Sequence, residues 1–164
     1  MLTEKLNVET KDRELILTRD FDAPPELMFE MWSDCKHLKH WWGPKEWPMD
    51  ECKMDFRVGG EWLYRLRGPN PEDESWGKGI YREIDKPRMI KYDDYFADKD
   101  GNINENMPGM IITVEFHPHE GKTRLHSSSI FATREGLEQV MQMGVVEGMS
   151  STMDRLDEYL SRRK

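Results

Sequence analysis

The stretch TREGLEQVMQMGVVEGMSSTMDRLDEYLSRR, residues 133–163, decides the fold. Leu137, Met141, Val145, Met149, Met153, Leu156 and Leu160 recur at steps of three or four, the spacing that sets side chains along one helix face. Thr133 stands where a side-chain oxygen can cap the first turn. The pattern predicts one long amphipathic helix from Thr133 to Arg163. Arg162, Arg163 and Lys164 then oppose the negative end of its dipole. Gly144 and Gly148 lie beside the apolar stripe, four residues apart. Each costs about 1 kcal/mol against alanine in a helix interior. Either the sheet comes close to the helix there, or the absent side chains leave a hollow. A hollow between a sheet and a helix is a ligand pocket.

Upstream of that helix the chain reads mostly as strands. Glu14 to Phe21 is a first strand. Ala23-Pro24-Pro25-Glu26 starts a short helix, since proline is tolerated in the first turn and an acid favours the N-terminus. A second short helix runs from about Lys36 to Trp42 and stops at Gly43-Pro44. Six strands follow: Met49 to Phe56, Glu61 to Arg67, Trp76 to Ile84, Met89 to Ala97, Met110 to His117 and Thr123 to Phe131. In the second of these, Trp62, Tyr64 and Leu66 alternate with Glu61, Arg65 and Arg67, which means one buried and one wet face. The expectation is an α+β fold of about seven strands, in the order strand, two helices, six strands, helix. Residues 1–12 read as a loose lead-in to a single domain.

Bulk properties narrow the function. A chain of 164 residues suits one domain with a core of its own. A net charge of −8 argues against nucleic acid and anionic membranes as partners. No apolar run approaches membrane-spanning length. Cys35 and Cys52 make no framework and suit a reducing compartment. The location expected is cytoplasmic.

Four motifs carry a family resemblance. They are His40-Trp41-Trp42-Gly43-Pro44, Asp55-Phe56-Arg57-Val58-Gly59-Gly60-Glu61-Trp62, Gly77-Lys78-Gly79-Ile80-Tyr81-Arg82-Glu83-Ile84, and Glu147-Gly148-Met149 followed by Leu156, Tyr159 and Leu160. In this order and spacing the chain resembles the activators of the heat-shock chaperone ATPase (the AHSA type). These belong to the START-like, or SRPBCC, helix-grip superfamily. The resemblance covers about Arg13 to Arg163. It implies a curved antiparallel sheet gripping the C-terminal helix, with a cavity between them that often holds apolar ligands. It also implies that chaperone stimulation draws on a separate domain of the eukaryotic co-chaperone, to which nothing here corresponds. Many relatives have tryptophan after the helix glycine. Met149 in that place makes a softer wall.

Strand parity and helix spacing nominate the cavity lining. The candidates are Trp62, Tyr64, Tyr81, Glu83, Tyr92, Met110 and Ile112 from the sheet, and Met141, Val145 and Met149 from the helix. Aromatics and methionines with a few hydroxyls suit a mostly apolar site. Glu83 shares parity with Tyr81, so it is a buried carboxylate if that face turns inward. If Ile80, Arg82 and Ile84 turn inward instead, it is surface.

No catalytic residue, metal or cofactor is expected. His37 and His40 with Cys35 lack a fourth ligand for zinc. Asp98 to Asn102 has its glycine too early for a calcium loop. Ser127, Ser128 and Ser129 lie on a strand rather than a nucleophile elbow. Asp93 and Asp94 point to opposite strand faces and cannot act as a pair. The expected function is non-catalytic binding of a small apolar molecule. The alternatives are an interaction module, contacting a chaperone or a second copy, and an enzyme of the cyclase or hydrolase kind. An exposed patch including Trp41, Trp42 and Trp47 would favour the interaction module.

Overall fold

Alternating apolar residues and turn signals produce the strands that the pattern requires, and pairing then sets which faces meet. The computed structural model describes residues 6–163. In chain order the elements are β1 (Asn7–Lys11), β2 (Glu14–Phe21), α1 (Pro25–Trp32), α2 (Cys35–Trp41), β3 (Met49–Met54), β4 (Glu61–Arg67), β5 (Glu74–Asp85), β6 (Met89–Ala97), β7 (Met110–His119), β8 (Lys122–Phe131), α3 (Arg134–Gln142) and α4 (Val145–Arg162). The strands form one curved antiparallel sheet in the order β1-β2-β8-β7-β6-β5-β4-β3. The crossover that seats β2 beside β8 encloses both short helices. The result is the α+β helix-grip arrangement.

The sheet has eight strands rather than seven. The extra one, β1, lies within residues 1–12, where a loose lead-in was expected; residues 1–5 of that segment lie outside the described residues. Asp12 adopts φ 57° and turns the chain so that Val8 faces Leu17. Aspartate tolerates this left-handed conformation better than most residues. Asn7, Glu9, Thr10 and Lys11 give β1 the polar look of an edge strand, so alternation barely marks it.

The C-terminal helix is two helices. Thr133 caps α3 by accepting from the Gly136 amide at 3.0 Å. The chain then breaks at Met143 and Gly144, and Gly144 takes φ 90° as the residue before α4. Glycine adopts that conformation without steric cost. The apolar stripe continues across the joint, so its periodicity does not reveal the break. Leu156 of α4 is fully buried, with Met153 and Leu160 nearly so. Each is worth roughly 1.5–3 kcal/mol of apolar burial.

Polar ties fix the helices on the sheet. Arg19 of β2 donates to Asp154 at 2.8 Å and lies 3.5 Å from Asp157, both on α4. His37 is buried on α2, with Nδ1 2.9 Å from the Tyr159 hydroxyl and Nε2 2.9 Å from the Glu30 carboxylate. One imidazole therefore links α1, α2 and α4, and both its nitrogens have partners. Asp34 caps α2 by accepting from the Lys36 amide at 2.9 Å.

The reading of Cys35 and Cys52 as two unconnected thiols is corrected. Their sulfurs are bonded, with the α-carbons 5.9 Å apart. Pairing of β3 with β4 brings Cys52 beneath the first turn of α2, a proximity that a separation of 17 residues does not disclose. Closing a loop of that length stabilises by roughly 3 kcal/mol in the chain-entropy picture. Such bonds are commonest in oxidising surroundings, whereas the two residues alone read as suiting a reducing compartment. Among the described residues, no helix is long and apolar enough to cross a membrane.

Candidate functional site

A cavity of about 300 Å³ lies between the concave sheet face and α4. Small residues make the room. On β8, Ser127 and Ser129 face the cavity where larger side chains would fill it. On β5, Gly77 leaves the space that the Tyr64 phenol occupies, since a β-carbon there would collide with that ring. On the helix side, Gly144 and Gly148 both line the wall. A β-carbon at Gly148 would meet Pro44 at 3.4 Å. The neighbour at Gly148 is thus the loop after α2 rather than the sheet, and both glycines leave space in the wall. Met143, at the α3–α4 joint, lines the cavity and is 54% exposed.

The motif at residues 40–44 builds one wall. His40 stacks on Tyr159 with ring centres 4.9 Å apart. Trp41 is fully buried and donates its indole N–H to the Met31 carbonyl at 3.3 Å. Trp42 turns to line the cavity and packs edge-on against Trp62 and Tyr64. Gly43 has φ 92°, and a β-carbon there would strike the Trp47 carbonyl oxygen. Arg155 of α4 donates to the carbonyls of Trp42 and Gly43 at 3.2 and 2.8 Å. That guanidinium satisfies carbonyls left open at the end of α2 and holds the wall against the helix.

Six of the ten nominated lining residues meet at the cavity: Tyr64, Tyr92, Met110, Ile112, Val145 and Met149. Trp62 and Tyr81 are buried behind it as core. Met141 packs against the core on α3, away from the lining. Glu83 is exposed. The cause is a register shift on β5: Tyr81 pairs with Tyr92, but Glu83 pairs with Lys91. Arg82 is the extra residue of a bulge, and its Nε donates to Asp93 on the outer face at 2.8 Å. A bulge inserts one residue and reverses the parity of every later position on its strand. Strict alternation therefore carries Glu83 inward when it lies outside.

The cavity's carboxylate is Asp94, which sequence reasoning treated only as half of an ineffective pair. It pairs with Gly79 on β5 and Met110 on β7, and it shares the inward face with Tyr92 and Phe96. The Tyr64 hydroxyl donates to Asp94 Oδ1 at 3.3 Å. Burial pushes the Asp94 carboxyl up to about 7, against the lowering effect of hydrogen bonds from Tyr64 and from the Tyr95 amide. Desolvation penalises the charged form, and among the described residues no cation offsets it. The phenols of Tyr64 and Tyr92 are likewise raised, chiefly by burial and then by the Asp94 charge. The signal was legible: the alternation that turns Tyr92 inward turns Asp94 inward too.

The other charged lining residue is Arg19. Its partners Asp154 and Asp157 balance it, although its Nε is buried without a partner among the described residues. The remaining lining is mostly aliphatic, aromatic and thioether. The site can hold an apolar body and offers it the Asp94 carboxylate.

Residues 22–161 match the family model described as "Activator of Hsp90 ATPase homolog 1-like protein". A comparison with curated proteins finds no match. A crystal structure from Mycobacterium smegmatis is 31% identical with TM-score 0.86, covering 98% of this chain and 97% of that one. A solution structure from Staphylococcus epidermidis is 32% identical with TM-score 0.83, covering 96% and 95%. The crystal structure of an AHSA1 protein from Silicibacter pomeroyi is 21% identical with TM-score 0.73, covering 92% and 99%, and shares the fold.

Proposed function

This chain belongs to the activator of Hsp90 ATPase homolog 1-like family, and from that premise we propose that it binds a small, mostly apolar molecule between its sheet and α4, without transforming it. The observation that carries this reading is the cavity of about 300 Å³ with a largely apolar wall. Ligand sites of about 300–1,000 Å³ are usual, so this one suits a small ligand. The interaction-module alternative called for an exposed aromatic patch. Trp41 is instead fully buried, and Trp42 and Trp47 are half-buried. The large exposed hydrophobic residues Val58, Ile103, Ile130 and Met143 lie on four separate elements and loops. Native mass spectrometry of the purified protein tests the proposal. A bound apolar mass, or uptake of an apolar fluorescent probe, is expected. Neither being seen would refute it.

Catalysis in the same cavity is a second reading, favoured by one observation. Asp94 titrates near neutrality, where a general acid or base works best. Turnover of a co-purified ligand by the parent, lost in Asp94→Asn with binding retained, would put this reading first.

A further inference from the structure

A carboxylate facing an apolar cavity without a counter-charge states what its ligand should bring. Asp94 accepts from the Tyr64 hydroxyl at 3.3 Å and from the Tyr95 amide. Both donors are neutral. Among the described residues, no Lys, Arg or His forms an ion pair with it. Each of the other buried or lining charges has such a partner. Arg19 has Asp154 and Asp157, and Asp93, the residue next along β6, has Arg82. Buried charges are as a rule paired, because an unpaired one is costly. Asp94 breaks that rule, and it does so at the wall of the cavity.

The surroundings suit a cation. Tyr92 and Phe96 flank Asp94 on its own strand face, and Tyr64 reaches it from β4. Trp42 stands 5.9 Å from the Tyr64 ring, centre to centre. Aromatic faces attract ammonium groups, the more so where water is excluded. Gly79 opposite Asp94 and Gly77 one step along carry no side chain, so β5 adds no bulk beside the carboxylate. The rest of the lining offers aliphatic and thioether surface to a hydrocarbon body, with Met110, Ile112, Val145 and Met149 among it.

We propose that the cavity selects hydrophobic amines: a small apolar molecule whose ammonium group pairs with the Asp94 carboxylate between aromatic rings. The proposal rests on the binding function above and names its ligand class. The ammonium replaces the missing counter-charge, and a charge-assisted hydrogen bond forms in a site of low dielectric. The Tyr64 hydroxyl keeps its donation to the other lone pairs of the carboxylate. Burial raises the Asp94 carboxyl, and an ammonium beside it would lower it again.

The test uses the full chain loaded with an apolar fluorescent probe and displaced by octylamine, octanol or octanoate. It is run at about pH 8, where both the carboxyl and the amine are charged. Octylamine is expected to displace the probe at a concentration lower than octanol by about tenfold or more, with octanoate weakest. In Asp94→Asn the amine's advantage over the alcohol should fall to within about twofold. In Glu83→Gln, which removes an exposed acid away from the cavity, the advantage should persist. Probe binding with octanol as effective as octylamine, or with octanoate strongest, overturns the amine assignment and leaves the cavity reading standing. An undiminished amine advantage in Asp94→Asn removes Asp94 from the assignment. Failure of the parent to bind the probe or any of the three overturns both.

Discussion

Replacing Asp94 by asparagine should change how stability depends on pH. The Asp94 carboxyl titrates at about 7 in the folded chain against an ordinary value of 3.8. Between these values the folded state holds a proton that the unfolded state has lost, so stability falls as pH rises. The contribution is fully present below the ordinary value and is lost once pH passes the folded one. A shift of about three units at about 1.36 kcal/mol each amounts to about 4 kcal/mol in all. Between about pH 5 and pH 8 the loss is about 2–3 kcal/mol, because part has already occurred by pH 5. Asparagine keeps the shape and does not titrate. Its own effect on packing and on the Tyr64 hydrogen bond does not vary with pH. The neighbouring phenols of Tyr64, Tyr81 and Tyr92 are all raised and stay protonated throughout this window. Urea denaturation of parent and variant at intervals across the window measures the difference. The variant should gain about 2–3 kcal/mol on the parent from pH 5 to pH 8, or roughly 5–10 °C in Tm. A difference that stays flat within about 0.5 kcal/mol would show that the Asp94 carboxyl is as well solvated as an ordinary one, and the buried-acid argument would fail.

The packing yields three further expected outcomes. Leu156→Asp puts an unpaired charge at a fully buried position on α4, costs several kcal/mol, and should leave the chain unfolded by circular dichroism; a Tm within a degree or two of the parent would mean α4 does not dock here. Met149→Trp should shrink the cavity and weaken uptake of an apolar probe, at about 1–3 kcal/mol or less in stability; unchanged affinity would take Met149 out of the working wall. Glu83→Gln should alter neither ligand affinity nor its pH dependence, because the β5 bulge turns Glu83 to solvent; a shift in either would contradict that register.

Much of the fold was legible from local pattern. Glu14–Phe21, Glu61–Arg67 and Met89–Ala97 have the bounds that their alternation indicates. The Thr133 cap and the apolar stripe of α4 stand where the spacing puts them. These features are set by residues within a few positions of one another, and period two or 3.6 reports them directly. The same periods nominated Tyr64, Tyr92, Met110, Ile112, Val145 and Met149, all of which reach the cavity. Local pattern was weaker where one residue changes the phase. Glu83 went astray because nothing in Tyr81-Arg82-Glu83 marks a bulge; it becomes visible only when Lys91 sits opposite.

The sequence by itself determined which segments become strand or helix, which face of each is apolar, and that the C-terminal helix must bury its stripe. Tertiary structure alone decided what those faces enclose. The Cys35–Cys52 bond needs β3 folded under α2. The break at Gly144 lies within an unbroken apolar stripe. The carboxylate of Asp94 becomes significant only when β4 brings Tyr64 to it and, among the described residues, no strand or helix brings a cation. Periodicity is a property of neighbours in the chain, whereas desolvation and charge pairing depend on every element that packs around a group. The chemistry of this cavity is therefore a sum over distant residues that no local pattern contains.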